Sequence, residues 1–421
     1  MNYTKKAIKG TSIIFVLSIF SALFAYLLRI LLARNLTVAE YGALYAIMAL
    51  FGLFSIFQSL GLGEGLTKYV AEFETKKRLD KIKSSIIIVF SLQFFSTILL
   101  GLIFIFLSNF IAKYYFHDLS MSIYIKVYAI SIMLSPLLNI FKAIFSGFQR
   151  MFFFSLLDLL QVVAVLIFSF VLLKLGLGLM APFLAYVLLY TISILFYFIF
   201  IKKVFPSFWK IKYAFDYGLV KRLIKFGTAV ILASAAGLVF GYTDTFLITL
   251  LRPLEEVGIY NASFPTAKML WGLSGALTLI LFPLTSELWA KQDSLRIQDG
   301  IRLLYKFSLI SILPVSFLFI VFPETILTFL FSSSYVAGAN VLRILAFGTV
   351  IFTLSQVNNS VLMGIGKPKS VSKIMLFAAG FNLVGNLVLI PTYGISGAAV
   401  STVVSFLIVL IFSYLSLNKI I

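Results

Sequence analysis

The 421 residues are 61% apolar and only 12% charged, with a mean hydropathy of +1.08; soluble domains carry about a quarter charged residues, so lipid is the solvent this chain requires. It has no cysteine and one histidine, His117, which excludes disulfides, thiolate sites, cysteine nucleophiles and multi-histidine metal clusters. The net charge of +19 comes from lysines and arginines in short gaps between apolar runs, a pattern of membrane orientation and not of a nucleic-acid surface.

A helix needs about 20 apolar residues to cross a bilayer. Twelve stretches meet that need, at 11–33, 42–63, 84–108, 122–147, 152–173, 180–201, 226–250, 258–283, 305–330, 341–363, 371–390 and 395–417. The first has a basic flank (Lys5, Lys6, Lys9) but is long and lacks a small-residue cleavage site, so it reads as a retained span. The second ends at Gly61-Leu-Gly63-Glu-Gly65. That run lacks the lysine-hydroxyl ending of a nucleotide-binding loop and reads as a helix terminus. His117 sits beside Asp118 in a short loop, where one exposed histidine has no evident task. Pro136, Pro265, Pro283, Pro314 and Pro323 fall in or near spans and permit kinks there.

The segment 202–225 separates two lobes, 1–201 and 226–421. Asp216 is placed to cap a short helix in it. Phe215, Leu219 and Leu223 recur at helical spacing beside Lys221, Arg222 and Lys225, as in a helix lying in the interface plane; an ordinary basic loop is the plainer alternative.

With the N-terminus in the cytoplasm and the sides alternating, 25 lysines and arginines fall on the cytoplasmic side and five (Arg34, Lys113, Lys126, Lys174, Arg252) on the other. This positive-inside bias puts both termini in the cytoplasm of a multi-pass cell-membrane protein. No loop is long enough to be a soluble domain.

The chain also carries one unit twice. Leu36-Thr-Val-Ala-Glu40-Tyr-Gly42-Ala-Leu-Tyr-Ala46 returns as Arg252-Pro-Leu-Glu-Glu256-Val-Gly258-Ile-Tyr-Asn-Ala262. Gly10-Thr11 returns as Gly227-Thr228, Gly147-Phe-Gln-Arg150 as Gly364-Ile-Gly-Lys367, and Gly176 as Gly394, at offsets of 216 to 218. Six spans per half give both halves the same orientation, related by an axis along the membrane normal. The expected fold is an all-α polytopic membrane protein with twelve transmembrane helices in two parallel six-helix lobes. A doubled membrane unit points to a transporter whose halves rock about a central site.

Ionisable groups inside spans are costly and therefore candidate sites. Arg29 (span 1), Asp244 (span 7), Lys268 (span 8) and Arg343 (start of span 10) lie toward the outer side. Lys142, Asp158 and Glu64 lie toward the inner side. One reading is a polar cavity whose cations hold an anionic headgroup through charge-assisted hydrogen bonds, with Asp244 or Glu64 exchanging a proton or Na⁺. The plainer reading is structural ion pairs and snorkelling cations. Gln356, Asn358 and Asn359 in span 10, with Asn382 and Asn386 in span 11, either grip sugar hydroxyls or tie helices together. There is no Walker motif, so transport is expected to run on an ion gradient, the membrane potential or the substrate's own gradient, with no cofactor.

Several stretches resemble the polysaccharide (oligosaccharide) flippase family of the multidrug/oligosaccharidyl-lipid/polysaccharide exporter superfamily. They are Arg29-Ile-Leu-Leu-Ala-Arg34 through Glu40-Tyr-Gly42; Asp244-Thr-Phe-Leu-Ile followed by Glu255-Glu-Val-Gly258-Ile-Tyr260; Phe264-Pro-Thr-Ala-Lys268 leading to Leu281-Phe-Pro283; and Asn382-Leu-Val-Gly-Asn386 through Pro391-Thr-Tyr-Gly394-Ile-Ser-Gly397-Ala-Ala. The resemblance implies a V-shaped two-lobe transporter that moves a polyprenyl-(di)phosphate-linked oligosaccharide across the cytoplasmic membrane by alternating access, acting as a monomer among anionic membrane lipids. Many members of the family have fourteen spans, against twelve here. The alternatives are a multidrug/cation antiporter of the same superfamily, a membrane glycosyltransferase, for which the short outer loops offer no paired catalytic carboxylates, and a scaffold without transport.

Overall fold

The computed structural model describes residues 3–213, 215–271, 281 and 284–420, and the side chains of these except residues 3–13, 195–204 and 233. Pro283, the stretch 272–280 of the expected eighth span, and the side chains of Lys5, Lys6, Lys9, Lys202 and Lys203 lie outside this description. The described chain is helical throughout its ordered elements, and nine helical stretches in it are long and apolar enough to cross a bilayer. Large apolar side chains stay exposed along them, Phe106 to 87%, as a lipid-facing surface requires.

By internal contacts the chain forms two units. The first is Met1–Leu36 with Phe54–Ser234; the second is Thr37–Leu53 with Ala235–Ile421. The segment Thr37–Leu53 thus packs in the second unit, and residues 226–234 in the first, where the sequence reading drew lobe boundaries at 201 and 226.

The first unit holds α1 (Tyr3–Asn35), the end of α2 (Val38–Ser59), α3 (Leu62–Thr75), α4 (Leu79–Tyr114), α5 (Met121–Leu134), α6 (Pro136–Gly147), α7 (Met151–Lys174), α8 (Met180–Val204) and the beginning of α9 (Tyr217–Leu251). Leu60 and Gly61 take positive φ of 50° and 61°, which ends α2 and lets the chain resume as α3. The Gly61 run is therefore a helix junction, as its composition suggested. Pro136 sits in the first turn of α6 and Pro323 in that of a later helix, where a missing N–H costs nothing; both start helices instead of kinking them.

The segment before α9 is neither an interfacial helix nor a free basic loop. Asp216 does cap a helix, its Oδ1 accepting from Leu219 N at 3.1 Å, but that helix is the 35-residue α9 itself. Leu219 and Leu223 are buried in the first unit's core against Leu66, Phe73 and Ile82. Phe215, one helical turn earlier, is exposed.

The second unit holds the first part of α2, the rest of α9, α10 (Leu254–Lys268), α11 (Ser294–Val321), α12 (Pro323–Leu330), a 3₁₀ turn (Ser333–Gly338), α13 (Ala339–Gly364) and α14 (Pro368–Asn418). Residues 371–390 and 395–417, expected as separate spans, both lie in α14. Gly394 has non-helical angles (φ 56°, ψ −141°), so α14 is two helices joined there. A Cβ at Gly394 would stand 2.8 Å from Glu256 Oε2. α2 opens with a capping box: Glu40 Oε2 accepts from Thr37 N at 2.8 Å, and Thr37 Oγ1 accepts from Glu40 N at 3.2 Å.

The sequence repeat is a repeat of backbone geometry. Arg150 N donates to Phe145 O, Gln149 N to Ser146 O and Phe148 N to Ile144 O; the same three bonds recur 217 residues on, from Lys367 N, Gly366 N and Ile365 N to Leu362 O, Met363 O and Val361 O. Another copy has little sequence signal. The turn at Lys76, Lys77 and Arg78 recurs at Lys291, Gln292 and Asp293, bond for bond and 215 residues on, down to the Lys76–Glu72 and Lys291–Glu287 ion pairs. The matched glycines Gly42 and Gly258 also meet reciprocally. A Cβ on Gly42 would stand 1.9 Å from Leu254 O, and one on Gly258 2.2 Å from Val38 O. Small residues here allow two helix starts to touch backbone to backbone.

Candidate functional site

In the second unit, α9 carries Asp244 into the protein interior, where it is 4% exposed. Its Oδ2 accepts from Tyr260 Oη at 2.5 Å (α10) and from Thr402 Oγ1 at 2.7 Å (α14). Its Oδ1 accepts from Asn386 Nδ2 at 2.6 Å, also on α14 but before the Gly394 break. Asn382, one turn before Asn386, donates to Thr402 Oγ1 at 3.1 Å and accepts from Asn386 Nδ2 at 3.2 Å. Asn386 Oδ1 is buried and has no partner. Thus three helices and a helix break converge on one carboxylate.

None of the ion pairs among the described residues includes Asp244. A buried carboxylate met only by neutral donors is expensive unless it takes up a proton or a cation. Amide, hydroxyl and carboxylate oxygens are the ligands hard monovalent and divalent cations use. Uptake of a proton by Asp244 would relieve that cost without moving the three donors.

The other predicted residues are distributed as follows. Arg29 lies on α1 in the first unit. Lys268, exposed at the end of α10, has its Nζ 5.1 Å from the centre of the Trp271 ring and 6.0 Å from that of Phe264, a cation–π arrangement. Arg343 at the start of α13 pairs with Glu324 at 2.6 Å and also donates to Asn340 Oδ1 and Ile320 O. Asn358 is fully buried; its Nδ2 donates to Ser413 Oγ at 3.0 Å and its Oδ1 accepts from Tyr305 Oη, which ties α11, α13 and α14 together. That geometry fits the helix-tie reading. Asn359 Nδ2 donates to Gln356 Oε1 at 3.3 Å, and Asn359 Oδ1 is buried without a partner.

Glu64 lines a second feature, a cavity of about 560 Å³ within the first unit. Gln58 from α2, Gln93 from α4, Asn139 and Lys142 from α6 and Phe154 from α7 line it as well. Lys142 forms an ion pair with Asp158, so this intramembrane cation is held by a neighbour and does not reach out to an interface.

The sequence singles out Asp244 and Glu64 by charge, and Asn382 and Asn386 as either a sugar grip or helix ties, but not Tyr260 and Thr402, which are uncharged and unremarkable in composition. Sequence reading also missed Gln58, Gln93 and Asn139. Their signal was available, since amides inside apolar runs are costly in the same way as charges.

This helical architecture is that of a solved transporter. The lipid II flippase MurJ, in an inward closed conformation, superposes with a TM-score of 0.79 at 16% identity, over 96% of this chain and 87% of that one. Residues 7–289 match the family model described as polysaccharide biosynthesis protein, and residues 229–388 match the MatE model. The protein is a multi-pass membrane transporter of the multidrug/oligosaccharidyl-lipid/polysaccharide exporter superfamily. Within it, the chain belongs to the polysaccharide biosynthesis family, the polysaccharide flippases. The uncharacterized membrane protein MJ1068 of Methanocaldococcus jannaschii is 32% identical over 432 aligned positions, covering 100% of this chain and 85% of its own length. A protein of Haloferax volcanii described as "Probable low-salt glycan biosynthesis flippase Agl15" is 24% identical over 186 positions, 44% of this chain and 39% of its own.

Proposed function

We propose that this protein is a flippase that carries a polyprenyl-(di)phosphate-linked oligosaccharide across the cytoplasmic membrane by alternating access, for the synthesis of a cell-surface polysaccharide or glycan. Exchange of a proton or Na⁺ at Asp244 is the coupled step. The observation that carries this reading is the Asp244 nest. A carboxylate held by donors on both sides of the Gly394 break costs free energy when empty and charged, and less when neutralised. Binding at the nest therefore favours whichever arrangement of α9, α10 and α14 closes around it, and that differential affinity can drive a conformational change. Family membership supports the glycan cargo, and the glycan flippase relative supports it further. The bias of basic residues supports both termini in the cytoplasm.

The MatE match over residues 229–388 includes Asp244 and favours a second reading, an antiporter for organic cations. A pair of binding titrations separates the two. Quenching of tryptophan fluorescence in the detergent-solubilised protein is titrated with a soluble short-chain prenyl diphosphate glycoside and, separately, with a lipophilic organic cation such as tetraphenylphosphonium. The flippase reading predicts saturable binding of the first and none of the second. The reverse result establishes the antiporter.

A further inference from the structure

The first unit's cavity has a chemistry of its own. It lies among apolar helices, yet two glutamines, an asparagine and a carboxylate line it. Its volume, about 560 Å³, falls within the range of small-molecule sites. Its charge balance does not suit an anion. Lys142, the cation in its lining, has its charge met by Asp158, and the lining carboxylate of Glu64 has no second cation in the lining to offset it.

Gln93 sharpens this reading. It is 3% exposed, and its Nε2 donates to Ser59 O at 2.9 Å. Because the atom facing a carbonyl oxygen must be the nitrogen, the other amide atom is an oxygen. That Oε1 is buried and has no partner, which costs free energy until a donor reaches it. Gln58 is oriented by its bond to Ser135 Oγ. Asn139 and Glu64 are exposed on the lining, and Phe154 offers an aromatic ring. Acceptors that want O–H or N–H donors, amides that do both, and a ring for an apolar C–H face together make a surface for sugar hydroxyls.

We infer that this cavity is a saccharide subsite for the uncharged, hydroxyl-rich part of the headgroup, and that it selects against acidic sugars. The inference rests on the flippase reading and deepens it by naming the class of sugar. Glu64 accepts hydroxyl hydrogens from a neutral sugar and repels a uronic acid. Gln93 Oε1 gains its missing donor after a small side-chain shift. The phosphate is held elsewhere.

The test uses the full-length protein in proteoliposomes with three fluorescent polyprenyl diphosphate carriers: one bearing a diglucosyl headgroup, one bearing the same headgroup with its terminal C6 oxidised to a carboxylate, and one without sugar. The diglucosyl carrier is expected to cross about tenfold faster than its oxidised twin, equivalent to one favourable contact exchanged for a repulsive one. Asn139→Ala and Gln93→Leu are each expected to lower the ratio of diglucosyl to sugar-free transport about fivefold, as for one lost hydrogen bond. Glu64→Gln is expected to narrow the neutral-to-acidic gap. Equal rates for the neutral and oxidised carriers, or ratios unmoved by Asn139→Ala, overturn the subsite. If no carrier crosses with the unaltered protein, the flippase reading fails instead. The subsite is then judged by equilibrium binding of a free glucose disaccharide to the solubilised protein: binding weakened by Asn139→Ala upholds it, and no binding removes it.

Discussion

Asp244 is sustained by three neutral donors, and each is worth most while the carboxylate is charged. Tyr260→Phe or Thr402→Val removes one donor from Oδ2 and should destabilise the second unit by about 1–3 kcal/mol, the usual cost of stripping a partner from a buried polar group. The unfolding midpoint in detergent reports this. In an Asp244→Asn background the same substitutions should cost less, because no charge is left to satisfy, and a double-mutant cycle measures the difference. Equal costs in both backgrounds would mean that the donors merely tie helices. Asp216 obeys a different rule. Hydrogen bonding to Lys81, at 2.5 Å, is the largest cause that holds its carboxyl below the ordinary value; the Leu219 N–H adds to it. A depressed folded-state pKa contributes stability above the unfolded value, about 3.9, and loses it as pH falls through the folded value. Asp216→Asn should therefore lower the melting temperature at pH 7 and make no difference near pH 2. A gap that persists at acid pH would show that capping and not charge does the work.

The helix ends are where the repeat is written. Gln149 adopts φ 54° at a position whose mate, Gly366, is already glycine at φ 81°. A left-handed turn is strained for a residue with a Cβ and free for glycine, so at Lys77, which holds φ 53° in the other repeated turn, Lys77→Gly should raise stability by up to about 1 kcal/mol. No gain in thermal unfolding would show that the backbone there is not strained. Gly42→Ala should do the opposite: its Cβ would lie 1.9 Å from a backbone carbonyl that cannot swing aside, and overpacking of this kind costs about 1–3 kcal/mol. These elements also show what the sequence made legible. Glycines that mark left-handed caps, such as Gly366 and Gly394, are visible because few other residues take those angles. The turn at Lys77, copied at Gln292, was hidden because ordinary residues bear the strain there. The beginning of α9 was misread for a similar reason. Basic residues on one of its sides resemble an interfacial helix until Leu219 and Leu223 are seen filling a core, and burial is a property of neighbours far away in sequence.

At the scale of the molecule, hydropathy and charge bias made the helical membrane class plain, because bilayer thickness sets span length and basic residues set direction. The site was half legible. Charges inside spans led to Asp244 and Glu64, and the amide of Gln93 carries a signal of the same kind, while Tyr260 and Thr402 are recognisable only once the helices place them beside a carboxylate. Orientation is a prediction at this scale too. Cysteines introduced singly at position 212 and at position 118 of this cysteine-free chain should be labelled by an impermeant maleimide from inside and outside the cell respectively; labelling of both from one side contradicts the assigned topology. The most direct test of the whole account is leaflet exchange of a fluorescent polyprenyl diphosphate oligosaccharide in proteoliposomes, with and without an imposed Na⁺ or proton gradient. The gradient is expected to speed exchange by the unaltered protein and to leave the Asp244→Asn protein unaffected. Exchange by the Asp244→Asn protein that still responds to the gradient would contradict it.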